Sequence, residues 1–329
     1  MKKQRLRNIL QTLFFTVLGF AFIWWFWTKL ETGEKTQIWD SLKQTNYLWF
    51  TLAIAISLFS HYVRALRWRL MSETFSCKVS RTNSFLAVMS GYLTNLAVPR
   101  LGEVVRCTML KQSDNIPIEK SLGTIVTERI IDMILFALLL LTTIVIQKDL
   151  LFNYIEKNLN LNVDNLIQLF IIGIVVLVIV VALFLAFKRK IQHNKTYNKT
   201  KDLIKGFLEG IKSIFKLKNP WLFIFYSILI WALWILGTFV CFQCLNETDI
   251  LTPIQALVTT VLGAFGPMIT PGGIGLQPAI FAEVLETYTI SRPIGYVCGW
   301  LNWLSSQVGT IFVGLIAFIY FSTKKKRQL

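Results

Sequence analysis

Long apolar segments alternate with short polar ones along this chain, and the pattern predicts membrane-spanning helices. Each apolar segment approaches or exceeds the roughly 20 residues that a helix needs to cross a bilayer. We predict six full spans, at 9–27, 47–64, 118–147, 166–187, 221–244 and 294–321. The first follows a basic N-terminus and resembles a signal peptide, but Trp24, Trp25 and Trp27 occupy the place of a cleavage site. We therefore interpret it as an uncleaved span.

Two other apolar segments are interrupted by proline, glycine or charge, and we predict that each forms a re-entrant helical hairpin. The first, 91–106, contains Asn95, Pro99, Arg100, Glu103 and Arg106. The second, 263–278, contains several glycines and prolines. A bilayer tolerates interrupted backbone and charge only where protein or water covers them. Both segments should therefore line an enclosed cavity.

The two hairpins occupy equivalent places in the halves 1–147 and 164–329. In each half a span precedes the hairpin and another follows it, with opposite orientations in the two halves. In such inverted repeats, the interrupted helices meet at a substrate site near the bilayer midplane. The sequence therefore predicts one all-α polytopic membrane domain over 1–329, with about six full spans and two re-entrant hairpins in an inverted repeat.

The formal net charge of +16 reflects membrane topology, because no segment is long enough to form a soluble, basic nucleic-acid-binding domain. Most lysines and arginines fall in five segments, 1–7, 64–81, 100–120, 188–218 and 324–327. The positive-inside rule predicts that these segments and both termini are cytoplasmic, in a multi-pass protein of the cell membrane. Within 188–218, apolar residues at helical spacing between lysines predict an amphipathic helix on the anionic inner leaflet.

Charged residues inside the predicted spans are candidates for substrate binding. In the third span, Glu128 and Asp132 share one helix face, and Arg129 is spaced to pair with Asp132. A self-neutralised structural cluster is the alternative interpretation. In the second span, Arg64 and Arg67 lie beside aromatic residues, and interfacial snorkelling is the simpler interpretation for either arginine alone.

The sequence indicates no catalytic, metal or nucleotide site. Cys241 and Cys244 form a CxxC without a second pair or a histidine cluster. The glycines of 271–275 lack the preceding strand and the GK[ST] ending of a phosphate-binding loop. Neither His61 nor His193 has a serine or cysteine partner at a suitable spacing. We expect no enzymatic activity, no cofactor and no metal.

Four motifs, RALRWRLM, NLAVPRLGEVVR, TERIID and TPGGIG, occur in an order and at separations that resemble the lysylphosphatidylglycerol synthase transmembrane region, or flippase-like domain family. The resemblance implies an all-helical membrane domain with re-entrant helices that moves a charged lipid between leaflets. Full-length synthases carry a further aminoacyltransferase domain. Because the chain stops at Leu329, we expect that activity to be absent.

The resemblance also marks individual positions. Those implied to bind the lipid headgroup are Arg64, Arg67, Asn95, Arg100, Glu103, Arg106, Glu128, Arg129 and Asp132. Those implied to shape the hairpin backbone are Pro99, Gly102, Pro271, Gly272, Gly273 and Gly275. This chain has Gln277 and Pro278 where the family often has a glutamate shortly after the glycine loop, so a carboxylate role there is unsupported.

We therefore expect a flippase-like protein that translocates an anionic, aminoacylated or glycosylated lipid. Arginines suit an anionic headgroup because they stay charged and grip phosphate with paired hydrogen bonds. The alternative is a non-transporting scaffold that recruits a separate transferase through the basic loop. A transporter needs mobile interrupted helices and a wet cavity, whereas a scaffold needs neither. The expected partners are membrane lipids and, in the alternative, a transferase; nucleic acid is not expected.

Overall fold

The computed structural model describes residues 24, 28, 32–73, 79–98, 101–148 and 217–326. Apart from Trp24, the first predicted span lies outside these residues. So do the fourth predicted span, the predicted amphipathic helix, the basic loop 188–218 except its last two residues, and Pro99 with Arg100. The chain divides into two compact units, Met1–Leu140 with Lys216–Leu329, and Leu141–Phe215. The helices and contacts below concern the first unit, except that the last turns of one helix extend into the second.

The described residues form helices and turns, without a strand. The helices are α1 Thr32–Gln44, α2 Tyr47–Ser72, α3 Arg81–Ala97, α4 Leu101–Asp114, α5 Ile118–Ile146, α6 Pro220–Phe242, α7 Pro253–Gly263, α8 Phe265–Ile269, α9 Leu276–Glu286 and α10 Arg292–Lys326. A 3-10 turn at Pro271–Gly273 lies between α8 and α9.

Within the described residues, four helices are long and apolar enough to cross a membrane, namely α2, α5, α6 and α10. They coincide with four of the six predicted spans, so the prediction of an all-helical polytopic membrane protein is confirmed. Helix α2 continues to Ser72, beyond the end predicted at residue 64. Arg64 and Arg67 are buried in protein contacts, so the interpretation of either as a snorkelling residue is wrong.

The first interrupted segment is a hairpin of α3 and α4, which approach closely through two glycines. A Cβ built on Gly102 would lie 2.1 Å from the carbonyl oxygen of Gly91. Asn95 Oδ1 accepts a hydrogen bond from the Gly102 amide at 2.8 Å. This bond satisfies one of the amides that a helix leaves unpaired in its first turn. The Asn95 side chain therefore caps α4 from the neighbouring helix.

The second interrupted segment has three helical pieces, α7, α8 and α9, where the sequence predicted two. Pro267 explains the extra break, because proline has no amide to continue the helical hydrogen bonding from α7. The turn that follows α8 has positive φ angles of 60° at Gly272 and 80° at Gly273. Such angles favour glycine.

The two interrupted segments meet at their tips, as the sequence predicted. A Cβ built on Gly272 would lie 2.6 Å from Leu96 Cδ2, at the end of α3. Trp303 on α10 donates from Nε1 to the Gly272 carbonyl at 2.7 Å. Contact with α3 and α10 therefore fixes the glycine turn.

The bases of the two segments lie at opposite ends of α10. Asn83, at the start of α3, donates to Asp114 at the end of α4 and accepts from the Tyr320 hydroxyl at 3.0 Å. The second segment instead joins α10 directly at Arg292. Tyr320 is 28 residues further along α10, about 42 Å at helical rise. This arrangement agrees with an inverted relationship between the two halves.

Candidate functional site

Asp132 on α5 binds both arginines of α2. Arg64 Nη1 lies 2.9 Å from Asp132 Oδ2, and Arg67 Nη1 lies 2.6 Å from Oδ1. Arg67 Nη2 also approaches Glu128 Oε1 at 3.6 Å. Glu128 and Asp132 therefore face the same side of α5, as their spacing of four residues predicted. Arg67, which is fully buried, contacts both carboxylates.

Arg106 on α4 is paired through only one of its three nitrogens. Its Nη1 donates to Glu128 Oε2 at 2.9 Å. Its Nε and Nη2 are buried and have no hydrogen-bond partner among the described residues. The whole residue is only 8% exposed. Buried donors without partners are costly to folding, so this edge of Arg106 is a candidate to receive a ligand.

Arg129 pairs with Glu103, and the prediction that it pairs with Asp132 is wrong. Its Nη2 lies 2.6 Å from Glu103 Oε1. The arginines of α2 already occupy Asp132. The tertiary partner on α4 therefore replaces the local one on α5.

Glu103 is also held by Asn95, whose Nδ2 lies 3.5 Å from Glu103 Oε2. Glu103 therefore contacts both Arg129 and Asn95.

Each buried arginine of the site also lies over an aromatic ring. The guanidinium carbon is 5.3 Å from the Trp234 ring for Arg64, 5.6 Å from Phe223 for Arg67, and 5.1 Å from Trp68 for Arg106. Such cation–π contacts favour a cation that has been removed from water.

Helix α6, in the second half of the chain, is thus part of the site, because it carries Phe223 and Trp234. Its Ser227 hydroxyl also accepts a hydrogen bond from Arg67 Nη1 at 3.1 Å. Sequence reasoning missed these three residues. The available signal was the aromatic content of the fifth predicted span, together with the need of an intramembrane arginine for partners.

A cavity of about 30 Å³ lies against this cluster. Its lining consists of Arg64, Val88, Gly91, Tyr92, Asn95, Gly102, Glu103, Arg106, Ile125, Glu128 and Arg129. A volume of this size holds about two water molecules. Six of the nine predicted headgroup residues line it. Arg67 and Asp132 lie outside the lining, where Asp132 binds both Arg64 and Arg67, while Arg100 lies outside the described residues.

The ion pairs of the cluster do not balance its charge. Four guanidinium groups contact three carboxylates, which leaves one net positive charge. The remaining charge, together with the unpaired edge of Arg106, favours an anion in the cavity.

The predicted backbone residues have two different placements. Gly102 lies in the cavity wall. Pro271, Gly272, Gly273 and Gly275 do not line the cavity; their turn packs on Leu96, the neighbour of Asn95. Pro99 lies outside the described residues.

A chain of uncharged polar side chains lies behind the glycine turn, and sequence reasoning missed it. Gln277 Nε2 donates to Asn302 Oδ1 at 3.1 Å, and Asn302 Nδ2 donates to Thr238 Oγ1 at 3.2 Å. Thr260 Oγ1 also donates to Thr238 Oγ1 at 2.8 Å. Polar side chains that hydrogen-bond across helices help to join them within a membrane. The chain therefore joins α6, α7, α9 and α10.

The chain is similar to known membrane proteins. The family described as the lysylphosphatidylglycerol synthase TM region matches residues 8–297. The UPF0104 membrane protein MJ1595 of Methanocaldococcus jannaschii is 24% identical over 296 residues, which cover 84% of this chain and 86% of the relative. No solved structure matches. Because the family match covers most of the chain, this protein belongs to the lysylphosphatidylglycerol synthase transmembrane region family.

Proposed function

We propose that this protein moves an anionic phospholipid between the leaflets of a membrane, with the phosphate bound by Arg106. Its family places it among membrane proteins of lipid metabolism or transport. The observation that carries the finer proposal is the unpaired edge of Arg106 beside a cavity with excess positive charge.

The two unpaired nitrogens of Arg106 are suited to a phosphate group. Nε and Nη2 lie on one edge of the guanidinium, and their N–H groups together form a two-pronged donor. Phosphate accepts both hydrogen bonds at once, and such paired bonds are stronger and more selective than a single contact. Glu128 occupies Nη1 and so holds the guanidinium in place.

The cavity must enlarge before a headgroup enters. Its volume of about 30 Å³ suits two waters and is too small for a phosphate with its glycerol. Helix α5 is the natural element to move. In the most apolar 18-residue stretch of α5, only 11% of the residues are buried. The corresponding share is 33% to 39% in the other candidate spans of the described residues. Polar and ionic contacts of Thr124, Glu128, Arg129 and Asp132 tie it to α2 and α4.

A leaflet-resolved lipid assay in proteoliposomes tests the proposal. The assay compares the wild type with Arg106→Gln, using labelled phospholipids with anionic or zwitterionic headgroups. We expect the wild type to move the anionic lipid and the variant to lose about tenfold or more of the rate, since hydrogen bonds to a charged group contribute roughly 1.5–3 kcal/mol. Arg81→Gln is the control, because Arg81 is exposed at the start of α3 and outside the cavity.

Two outcomes would contradict the proposal. One is transport by Arg106→Gln at the wild-type rate. The other is a folded wild type that moves no anionic lipid, which would favour the scaffold alternative. In that case, a transferase that co-purifies with the chain and is lost when the lysines of 188–218 are neutralised would support the scaffold directly.

A further inference from the structure

We propose that the lipid enters sideways from the bilayer, through a portal between α4 and α5 that the Glu103–Arg129 ion pair closes. This inference rests on the proposed function and names the route by which a phosphate reaches Arg106. The portal consists of Glu103 and Arg129 with the exposed apolar residues beside them, Leu101 and Val104 on α4 and Val126 and Met133 on α5.

The ion pair lies in an exposed apolar surface. The Arg129 side chain is 54% exposed and that of Glu103 is 23% exposed. Val126 and Met133, one helical turn to either side of Arg129, are 56% and 66% exposed. A surface of this kind on a candidate membrane span faces lipid, where an exposed charge is costly unless a partner or a lipid headgroup neutralises it. Arg129 is therefore placed to meet a phosphate.

The same ion pair forms part of the cavity wall. Glu103 and Arg129 line the cavity together with Arg106, which is only 8% exposed. The pair thus separates the apolar surface of the protein from the buried, unpaired edge of Arg106. A headgroup that passes between α4 and α5 reaches Arg106 while its acyl chains stay in the bilayer.

Glu103 has a second partner that allows the portal to open. When a phosphate takes Arg129, the Glu103 carboxylate retains Asn95, whose Nδ2 already lies 3.5 Å from Oε2. The exchange replaces one anion by another beside Arg129, so no guanidinium is left bare. Arg129 and then Arg106 would bind the phosphate in succession.

A reversible bridge across the portal tests the route. Val104→Cys and Val126→Cys in a cysteine-free background leave both charged residues in place, and a cleavable bifunctional thiol reagent joins them. We expect bridging to lower anionic-lipid transport by about tenfold or more and a reductant to restore it. The control pair is Glu283→Cys with Arg292→Cys, which replaces an ion pair between α9 and α10 outside the cavity. Transport through a bridged portal at the unbridged rate would overturn the inference.

Photochemical labelling tests the portal without requiring transport. Val126 is replaced by p-benzoylphenylalanine, and lipid adducts are identified by mass spectrometry from vesicles that contain anionic and zwitterionic phospholipids. Phe312 on α10, which is 67% exposed, is the matched control position. We expect the ratio of anionic to zwitterionic adducts to be several-fold higher at Val126 than at Phe312, and to fall to the Phe312 level in Arg129→Gln.

The two readouts separate the portal from the proposed function. Equal adduct ratios at Val126 and Phe312, or a ratio that Arg129→Gln leaves unchanged, would overturn the portal even if transport is observed. A high ratio at Val126 in a protein that moves no lipid would support the portal as a lipid-binding entrance and contradict the transport function.

Discussion

Asp132 holds Arg67 with two parallel hydrogen bonds, from Nη1 to Oδ1 at 2.6 Å and from Nη2 to Oδ2 at 3.2 Å. The same carboxylate also accepts from Arg64. One aspartate on α5 therefore neutralises the two arginines that α2 carries into the protein interior. A buried charge that loses its partner is strongly destabilising, so Asp132 should matter first for folding.

We predict that Asp132→Asn lowers the free energy of unfolding by about 3–5 kcal/mol, the usual effect of breaking a buried ion pair. Thermal unfolding in detergent measures it. Asp40→Asn is the control, because Asp40 pairs with Lys43 on exposed α1 with side chains 53% and 74% exposed. That substitution should change stability by less than about 1 kcal/mol. Equal effects of the two substitutions would show that Asp132 is not a structural anchor.

The Arg106–Glu128 pair should separate folding from lipid binding. Glu128→Gln leaves the buried Arg106 without its ion-pair partner and should destabilise the protein by about 3–5 kcal/mol. Arg106→Gln leaves Glu128 with only the 3.6 Å approach of Arg67 and should also destabilise the protein, by no more than that amount. The double variant Arg106→Gln with Glu128→Gln removes both charges and should recover much of that stability. It should still fail to move anionic lipid, because phosphate has lost its two-pronged donor.

The measurements are thermal stability and leaflet-resolved transport for the wild type and the three variants. A double variant that recovers both stability and transport would contradict the headgroup role of Arg106. It would instead show that the two residues form only a structural pair.

Much of this fold could be predicted because its signals are local in sequence. Span length and apolarity identified α2, α5, α6 and α10, and interrupted backbone identified both broken segments. A charged residue inside an apolar segment indicates a position enclosed by protein or water, because a lipid-exposed charge is costly in a bilayer. Six of the predicted headgroup residues therefore line one cavity.

Tertiary partners could not be predicted in the same way. Arg129 has a local partner in Asp132 by spacing, but it pairs with Glu103 across the helix interface. The choice depends on which carboxylate the arginines of α2 already occupy. Likewise, Ser227 on α6 contacts Arg67 although the two residues are far apart in sequence. The spacing of residues within a helix cannot predict such a contact.

Gly272 should not tolerate a side chain. Its φ of 60° costs an alanine roughly 1–2 kcal/mol, and a Cβ there would lie 2.6 Å from Leu96 Cδ2. We predict that Gly272→Ala destabilises the protein and lowers transport, and that Gly272→Val does so more strongly. Gly123→Ala is the control, since a Cβ at this helical glycine meets nothing within 4 Å and alanine favours helix. The measurements are thermal unfolding and lipid transport for the three variants and the wild type. Wild-type stability and transport in Gly272→Ala would show that the turn is not constrained.

The last prediction concerns the opposite orientation of the two broken segments. Glu119 lies at the start of α5, beside the base of the first hairpin, and Glu247 lies between α6 and α7, beside the base of the second. Both residues are exposed. The excess of lysine and arginine in 100–120 predicts that Glu119 is cytoplasmic and Glu247 is not.

Glu119→Cys and Glu247→Cys in a cysteine-free background test this topology with a membrane-impermeant thiol reagent. We expect the reagent to label Glu247→Cys in intact cells and to label Glu119→Cys only after the cells are permeabilised. The two bases lie near opposite ends of α10, about 42 Å apart along that helix, so one membrane should separate them. Labelling of both variants from the same side would contradict the inverted arrangement, and with it the expectation that the two tips meet near the bilayer midplane.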